Sequence, residues 1–331
     1  MNPTSTPTLP LADRHRRTLD YLRLAMTDRC NLRCTYCMPA EGLNWVRRDS
    51  LLSFEEMRRL VGVLHGAGLK RVRLTGGEPF LRKDLPVLLR TLSAFEGLNI
   101  AITTNGTCTL PHLPLLQELG IRDINLSLDT LRPERFNDIA RRDLFAQVHD
   151  CLVALLEPGW NLKINAVALP DADPEEWIEL TELARTHRVA VRFLEEMPFN
   201  GGKSHPPKFV AGDILAHLQS AYPTLKAIGP SSSGTAQRYS APDMVGSVGI
   251  IPAFSRSFCG TCNRLRVTPK GDLRTCLYAK NELSLRDAMR GGITDRELLA
   301  LITRTIQGKA VDGFAAEAAA SSRESMATIG G

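Results

Sequence analysis

Six of the eight cysteines in this 331-residue chain fall into two tight groups, and their spacing limits the chemistry they can do. The first group is Cys30-x3-Cys34-x2-Cys37. Three thiolates on one short loop can hold three irons of a [4Fe–4S] cluster and leave the fourth iron without a protein ligand. Such an iron is open to a small molecule carrying amino and carboxylate groups. Zinc is the competing occupant. Structural zinc takes four ligands, yet no fourth cysteine is near and the nearest histidines in sequence are His15 and His65. The loop is otherwise polar, with Asp28, Arg29, Asn31 and Arg33, which argues against a chance cluster of buried thiols. Cys108 and Cys151 stand alone and read as small buried hydrophobes.

The second group is Cys259-x2-Cys262-x13-Cys276. The last histidine is His217, so a Cys3His zinc site needs a distant ligand. A second [4Fe–4S] cluster with one open iron fits these residues, and that iron can take a substrate nitrogen or oxygen. Arg264 and Arg266 follow directly. In an extended segment they share one side, and a pair of guanidinium groups suits phosphate. Two solvated surface arginines are the alternative.

These residues need a scaffold. Hydrophobic residues make up 43% of the chain and charged residues 23%, which predicts a packed soluble core. No apolar run approaches the roughly 20 residues that span a bilayer. Met1 to Pro10 has no signal-peptide core, so residues 1–18 read as a flexible lead and the protein as cytoplasmic. Lys plus Arg exceeds Asp plus Glu by 41 − 36 = 5, a weak excess without basic blocks. With only 6% aromatic residues, it counts against a zinc-stabilised nucleic-acid-binding protein.

From Tyr21 to about Met197 strand-like and helix-like runs alternate. The strand candidates are Tyr21–Met26, Val72–Leu74, Ile100–Thr103, Ile124–Leu128, Leu162–Ala168 and Val189–Leu194. Helical patterns cover Ser53–Ala67, Leu85–Phe95, Leu113–Leu119, Pro133–Leu156 and Pro174–Thr186. Ser53 with Glu56 forms a capping box, and Pro133 and Pro174 suit first turns. This alternation predicts an α/β fold with a parallel sheet. Pattern alone leaves a curved, incomplete barrel and a flat doubly wound sheet both open. Beyond Met197 the rhythm breaks, with connections at Asn200–Pro207 and Gly229–Gly234. A helix is expected around Asp295–Gln307, followed by an Ala/Ser-rich tail.

The spacing Cys-x3-Cys-x2-Cys, with Tyr36 before the last cysteine, resembles the signature of the radical S-adenosylmethionine superfamily. Gly76-Gly77-Glu78-Pro79 resembles its Gly-Gly-Glu-Pro motif. More of the chain is similar to one family within it, the GTP 3′,8-cyclases of molybdenum-cofactor biosynthesis. The similarity runs from about Leu19 to Gly331. It includes Leu22-Arg23-Leu24, Thr103-Thr104-Asn105-Gly106, Asn125-Leu126-Ser127-Leu128-Asp129 and Lys163-Ile164-Asn165. It closes with Arg192-Phe193-Leu194-Glu195, Phe258-Cys259-Gly260-Thr261-Cys262-Asn263-Arg264-Leu265-Arg266 and Ile329-Gly330-Gly331.

That resemblance implies a partial (β/α)6 TIM-type barrel over residues 19–197. Residues 198–331 would form a C-terminal extension carrying a second iron–sulfur cluster and a Gly-Gly tail. It implies two [4Fe–4S] clusters, on Cys30, Cys34 and Cys37 and on Cys259, Cys262 and Cys276. S-adenosylmethionine would meet Tyr36, Gly77, Ser127 and Met197. GTP would meet Arg23, Arg73, Thr103, Lys163, Arg264 and Arg266. Gly330 and Gly331 would reach toward the site. The implied reaction takes hydrogen from ribose C3′ with a 5′-deoxyadenosyl radical and joins C3′ to guanine C8. An electron donor such as flavodoxin or ferredoxin would feed it, and a cyclic pyranopterin monophosphate synthase would consume the product. Neither nucleic acid nor membrane enters, and a homodimer is left open. The rival within the superfamily is a peptide-modifying enzyme with auxiliary clusters.

Overall fold

Residues 11–197, 199, 206–229, 234–280, 283–320 and 325–330 are described by the structure, a computed structural model. The six apolar runs form parallel strands: β1 (Tyr21–Ala25), β2 (Arg71–Thr75), β3 (Asn99–Thr104), β4 (Asp123–Ser127), β5 (Asn161–Ala168) and β6 (Ala190–Glu195). They pair in chain order. Helices α1 (Phe54–Gly66), α2 (Leu85–Ser93), α3 (Leu113–Glu118), α4 (Pro133–Ala140), α5 (Phe145–Leu156) and α6 (Pro174–Thr186) connect them. The expected capping box is present, with Ser53 Oγ accepting from Glu56 N and Glu56 Oε2 accepting from Ser53 N. Alternation in the strands sorts the two faces. In β5, Leu162, Ile164, Ala166 and Ala168 are buried in the apolar core, while Lys163, Asn165 and Val167 line a cavity.

One expected helix is two. Pro133–Leu156 breaks at Arg141, which adopts a left-handed φ of 51°. The first cysteine loop causes the break by docking on the end of α4. Arg33 N and Thr35 N donate to the carbonyls of Ala140 and Ile139, and Arg141 Nη1 donates to Met38 O. Carbonyls that would have continued the helix are thus spent on holding the loop.

The chain beyond Met197 adds α7 (Ala211–Ala221), β7 (Lys226–Ala227), β8 (Gln237–Ser240), β9 (Ser247–Ile251), β10 (Arg264–Val267), β11 (Asp272–Arg274) and β12 (Leu283–Ser284). Then come α8 (Leu285–Arg290), α9 (Asp295–Gln307), α10 (Gly313–Ala318) and α11 (Met326–Ile329). β9 pairs parallel with β6 and β10 pairs parallel with β1. The C-terminal chain therefore extends the same sheet at both edges. The full order among the described residues is β12-β11-β10-β1-β2-β3-β4-β5-β6-β9-β8-β7. Side chains from β1 to β6, β9 and β10 line one cavity, so the sheet is curled rather than flat. β9 and β10 do not pair with each other, which leaves the barrel open.

Residues 1–10 of the expected flexible lead lie outside the described residues, as do most of the Asn200–Pro207 and Gly229–Gly234 connections. Residues 11–18 are anchored, which corrects the expectation there. Asp13 and Arg17 form a buried ion pair at 2.6 Å, and Arg17 Nη1 donates to Cys259 O at 3.0 Å.

Candidate active site

Both cysteine groups open into a single cavity of about 880 Å³, lined by Cys30, Cys34, Cys37, Cys259, Cys262 and Cys276. The first loop is folded by hydrogen bonds within itself, with Cys37 N donating to Cys34 O at 2.9 Å and the Arg33 side-chain Nη1 to Cys30 O at 2.7 Å. Asn105 Nδ2 approaches Cys30 Sγ at 3.6 Å. Burial pushes the Cys30 thiol up to about 11 and the Cys37 thiol up to about 12, and raises Cys34 as well. A trio this desolvated becomes thiolate when a metal supplies the charge. Among the described residues no three His, Cys, Asp or Glu side chains converge on one point where a single ion could sit. A four-iron cluster does not require that, because each thiolate binds a different iron.

The Gly-Gly-Glu-Pro segment packs against this loop. A Cβ on Gly77 would lie 2.2 Å from Arg29 O, and one on Gly76 would lie 2.4 Å from Thr27 O. Glycine at both positions lets the cysteine loop approach this closely. Gly77 N and Glu78 N donate to Thr27 O and Arg29 O. Glu78, fully buried, accepts from Phe80 N at 3.1 Å, Thr104 Oγ1 at 2.8 Å and Asn105 N at 2.7 Å. Burial pushes its carboxyl up to about 7 against the pull of those donors. Tyr36 donates to Asp129 Oδ2 at 2.9 Å, and Asp129 Oδ1 accepts from Val167 N. Tyr36, Gly77, Ser127 and Met197 all line the cavity.

The wall between the two cysteine groups is strongly basic. Register places Arg266, Arg23 and Arg73 side by side across β10, β1 and β2, and all three face the cavity. Like charges directly opposite on a sheet repel. Burial, with Arg73 and Arg264 nearby, lowers Arg23 to about 10; burial, with Arg73 and Arg23, lowers Arg192 to about 9. Arg266 is lowered too, first by burial and then by Arg23. Tyr21 is desolvated, yet these cations bring it down to about 8, and Arg73 Nε donates to its hydroxyl at 2.7 Å. A buried row of cations is a site prepared for an anion with several oxygens. Arg264 and Arg266 share the cavity side as the alternation predicted, and Thr103 lies within 3.5 Å of Arg73 Nη1. Lys163 points inward, held by Asp123 Oδ1 at 3.2 Å.

Arg192 was missed as a site residue. Its Nε and Nη2 are buried without a hydrogen-bond partner among the described residues. Gly249 lies opposite it in register, where a Cβ would come within 2.9 Å of Arg192 Cγ. Its inward alternation with Leu194 was the available signal. At the second group, burial raises Cys259. Burial would raise Cys262 too, but Arg264 and Lys309 bring it down to about 6. The tail reaches this wall, where Gly330 O accepts from Thr75 Oγ1 at 3.4 Å and Arg266 Nη1 at 3.3 Å. Gly331 lies outside the described residues.

Residues 24–184 match the Radical SAM superfamily and residues 189–314 match Molybdenum Cofactor Synthesis C. Over its whole length the chain is 39% identical to a GTP 3′,8-cyclase of Chlorobaculum tepidum, covering all of that protein. The chain belongs to the GTP 3′,8-cyclase family. It is 38% identical to the mitochondrial GTP 3′,8-cyclase of Arabidopsis thaliana, over 90% of this chain and 77% of that protein. It is 39% identical to Molybdenum cofactor biosynthesis protein 1 of Drosophila melanogaster over 91% of its length, and spans about half (54%) of that longer relative. A solved structure, Streptococcus suis SuiB bound to S-adenosylmethionine, shares the fold with a TM-score of 0.58 at 16% identity, over 82% of this chain and 61% of that one. Among the described residues no helix is long and apolar enough to cross a membrane.

Proposed function

We propose that this member of the family converts GTP to (8S)-3′,8-cyclo-7,8-dihydroguanosine triphosphate. The observation that carries the proposal is the buried row Arg266–Arg23–Arg73 lying between two cysteine trios in one cavity. A buried row of guanidinium groups suits the several oxygens of a triphosphate.

The donor sets fit two [4Fe–4S] clusters. Each is a trio of cysteines facing a shared cavity, and the first has an amide N–H at one sulfur. Held by Cys30, Cys34 and Cys37, a reduced first cluster would supply the electron that cleaves S-adenosylmethionine to methionine and a 5′-deoxyadenosyl radical. The chain's own residues bind and orient. Tyr36, Gly77, Ser127 and Met197 flank S-adenosylmethionine. Arg23, Arg264 and Arg266 take the triphosphate, while Arg73, Thr103, Lys163 and Arg192 surround the nucleoside. Tyr21 and Ile102 O fix Arg73, and Asp123 fixes Lys163, so neither side chain has to be ordered on binding.

The proposal extends to a cytoplasmic enzyme that draws electrons from flavodoxin or ferredoxin and hands its product to a cyclic pyranopterin monophosphate synthase. The test is GTP binding to the anaerobic protein, with Arg264→Ala and Arg266→Ala. Each variant is expected to weaken GTP binding about tenfold or more, as loss of a charge-assisted contact does, while uncoupled S-adenosylmethionine cleavage survives. Unchanged affinity and turnover in both variants would refute the triphosphate role.

A further inference from the structure

Lys309 follows the end of α9 and is 2% exposed. An ammonium has three N–H donors, and here three acceptors surround it: Arg264 O at 3.2 Å, Thr275 O, and Cys262 Sγ at 4.0 Å. Arg264 opens β10, two residues after Cys262, and Thr275 immediately precedes Cys276. One cation therefore ties together both segments that carry the second cysteine group. Among the described residues no carboxylate pairs with it. Arg17, its cationic neighbour, binds the carbonyls of Cys259, Ala310 and Val311, but its charge is matched by Asp13. A buried ammonium without a counter-charge is costly. The negative group that compensates it is the one the cysteines hold.

We propose that Lys309 is a positioning residue for the C-terminal iron–sulfur cluster: it clamps the two cysteine segments and stabilises the reduced over the oxidised cluster. Reduction adds negative charge in a desolvated place, and a fixed cation donating to a ligand sulfur favours that state. The first trio differs. The side-chain amide of Asn105 is the donor to its Cys30 sulfur, and the Arg33 guanidinium binds the Cys30 and Leu32 carbonyls.

The proposal rests on Cys259, Cys262 and Cys276 holding a cluster, and the test separates the two claims. Wild type, Lys309→Met and Lys309→Arg, all full length and reconstituted anaerobically, are assayed for iron and titrated with dithionite under redox mediators. The reduced clusters are followed by electron paramagnetic resonance. Replacing Cys30, Cys34 and Cys37 by alanine assigns the second cluster's signal. Lys309→Met is expected to keep about eight irons, from two four-iron clusters. At fixed potential its second cluster's reduced-to-oxidised ratio should fall about tenfold, or about 59 mV for one electron. The first cluster should stay unchanged, and Lys309→Arg should titrate as wild type. Loss of the second cluster in Lys309→Met but not in Lys309→Arg would also support the charge. An unchanged ratio in Lys309→Met, or equal loss of the cluster in both variants, would overturn it. A wild type holding only about four irons would remove the second cluster itself, and the proposal with it.

Discussion

Glu78 is buried where a carboxylate is costly, and three donors converge on it from β3 and the Gly-Gly-Glu-Pro turn. It staples the cysteine loop's neighbour, the Thr27–Arg29 backbone, to Thr104 and Asn105, and Asn105 in turn reaches Cys30 Sγ. Glu78→Gln keeps the shape but turns an amide N–H₂ toward a main-chain N–H or a hydroxyl. The loss of a satisfied buried contact costs about 1–3 kcal/mol. A lowered melting temperature of the apo protein and a first cluster that loads less iron are expected; wild-type values of both would contradict the staple. At this scale the sequence was most legible. Cysteine spacing and arginine alternation announced the six thiols and the pair Arg264/Arg266. Glu78, Arg192, Arg17 and Lys309 went unassigned. What distinguishes them is burial and the partners they meet, and both come from distant segments.

Elements follow from local pattern where local forces decide them. The six core strands and α6 lie within one or two residues of the apolar runs and caps that predict them. α4 and α5 were read as one helix because the break is imposed from outside, by the cysteine loop taking the carbonyls of Ile139 and Ala140. β9 and β10 were not read as edges of the parallel sheet because their partners are β6 and β1, the latter more than 200 residues away. The tail is the element with the clearest functional consequence. Ser325 Oγ donates to Cys37 O at 2.6 Å, and Gly330 O meets Thr75 and Arg266. One short segment thus spans from the first cysteine loop to the arginine row. Gly330 has a φ of 75°, and a Cβ there would fall 2.7 Å from the Ala25 Cβ, so a larger residue does not fit. Deleting Gly330 and Gly331 is expected to abolish cyclisation while iron content stays at the wild-type level. Full turnover by the truncated protein would show that the tail is passive.

At the scale of the molecule, the chain beyond Met197 closes toward the barrel from both edges and brings the second cysteine trio to the same cavity as the first. The sheet concentrates positive charge on that cavity's wall instead of dispersing it. A modest net charge of +5 hides this concentration, which is why composition said little about an anionic ligand and register said much. The central claim is that a radical made at the first trio acts on a nucleotide held at the second. GTP carrying deuterium at C3′ tests it directly, in an anaerobic reaction with S-adenosylmethionine and a reductant. The account predicts that deuterium appears in 5′-deoxyadenosine together with a 3′,8-cyclised nucleotide. Undeuterated 5′-deoxyadenosine with GTP recovered intact would contradict it.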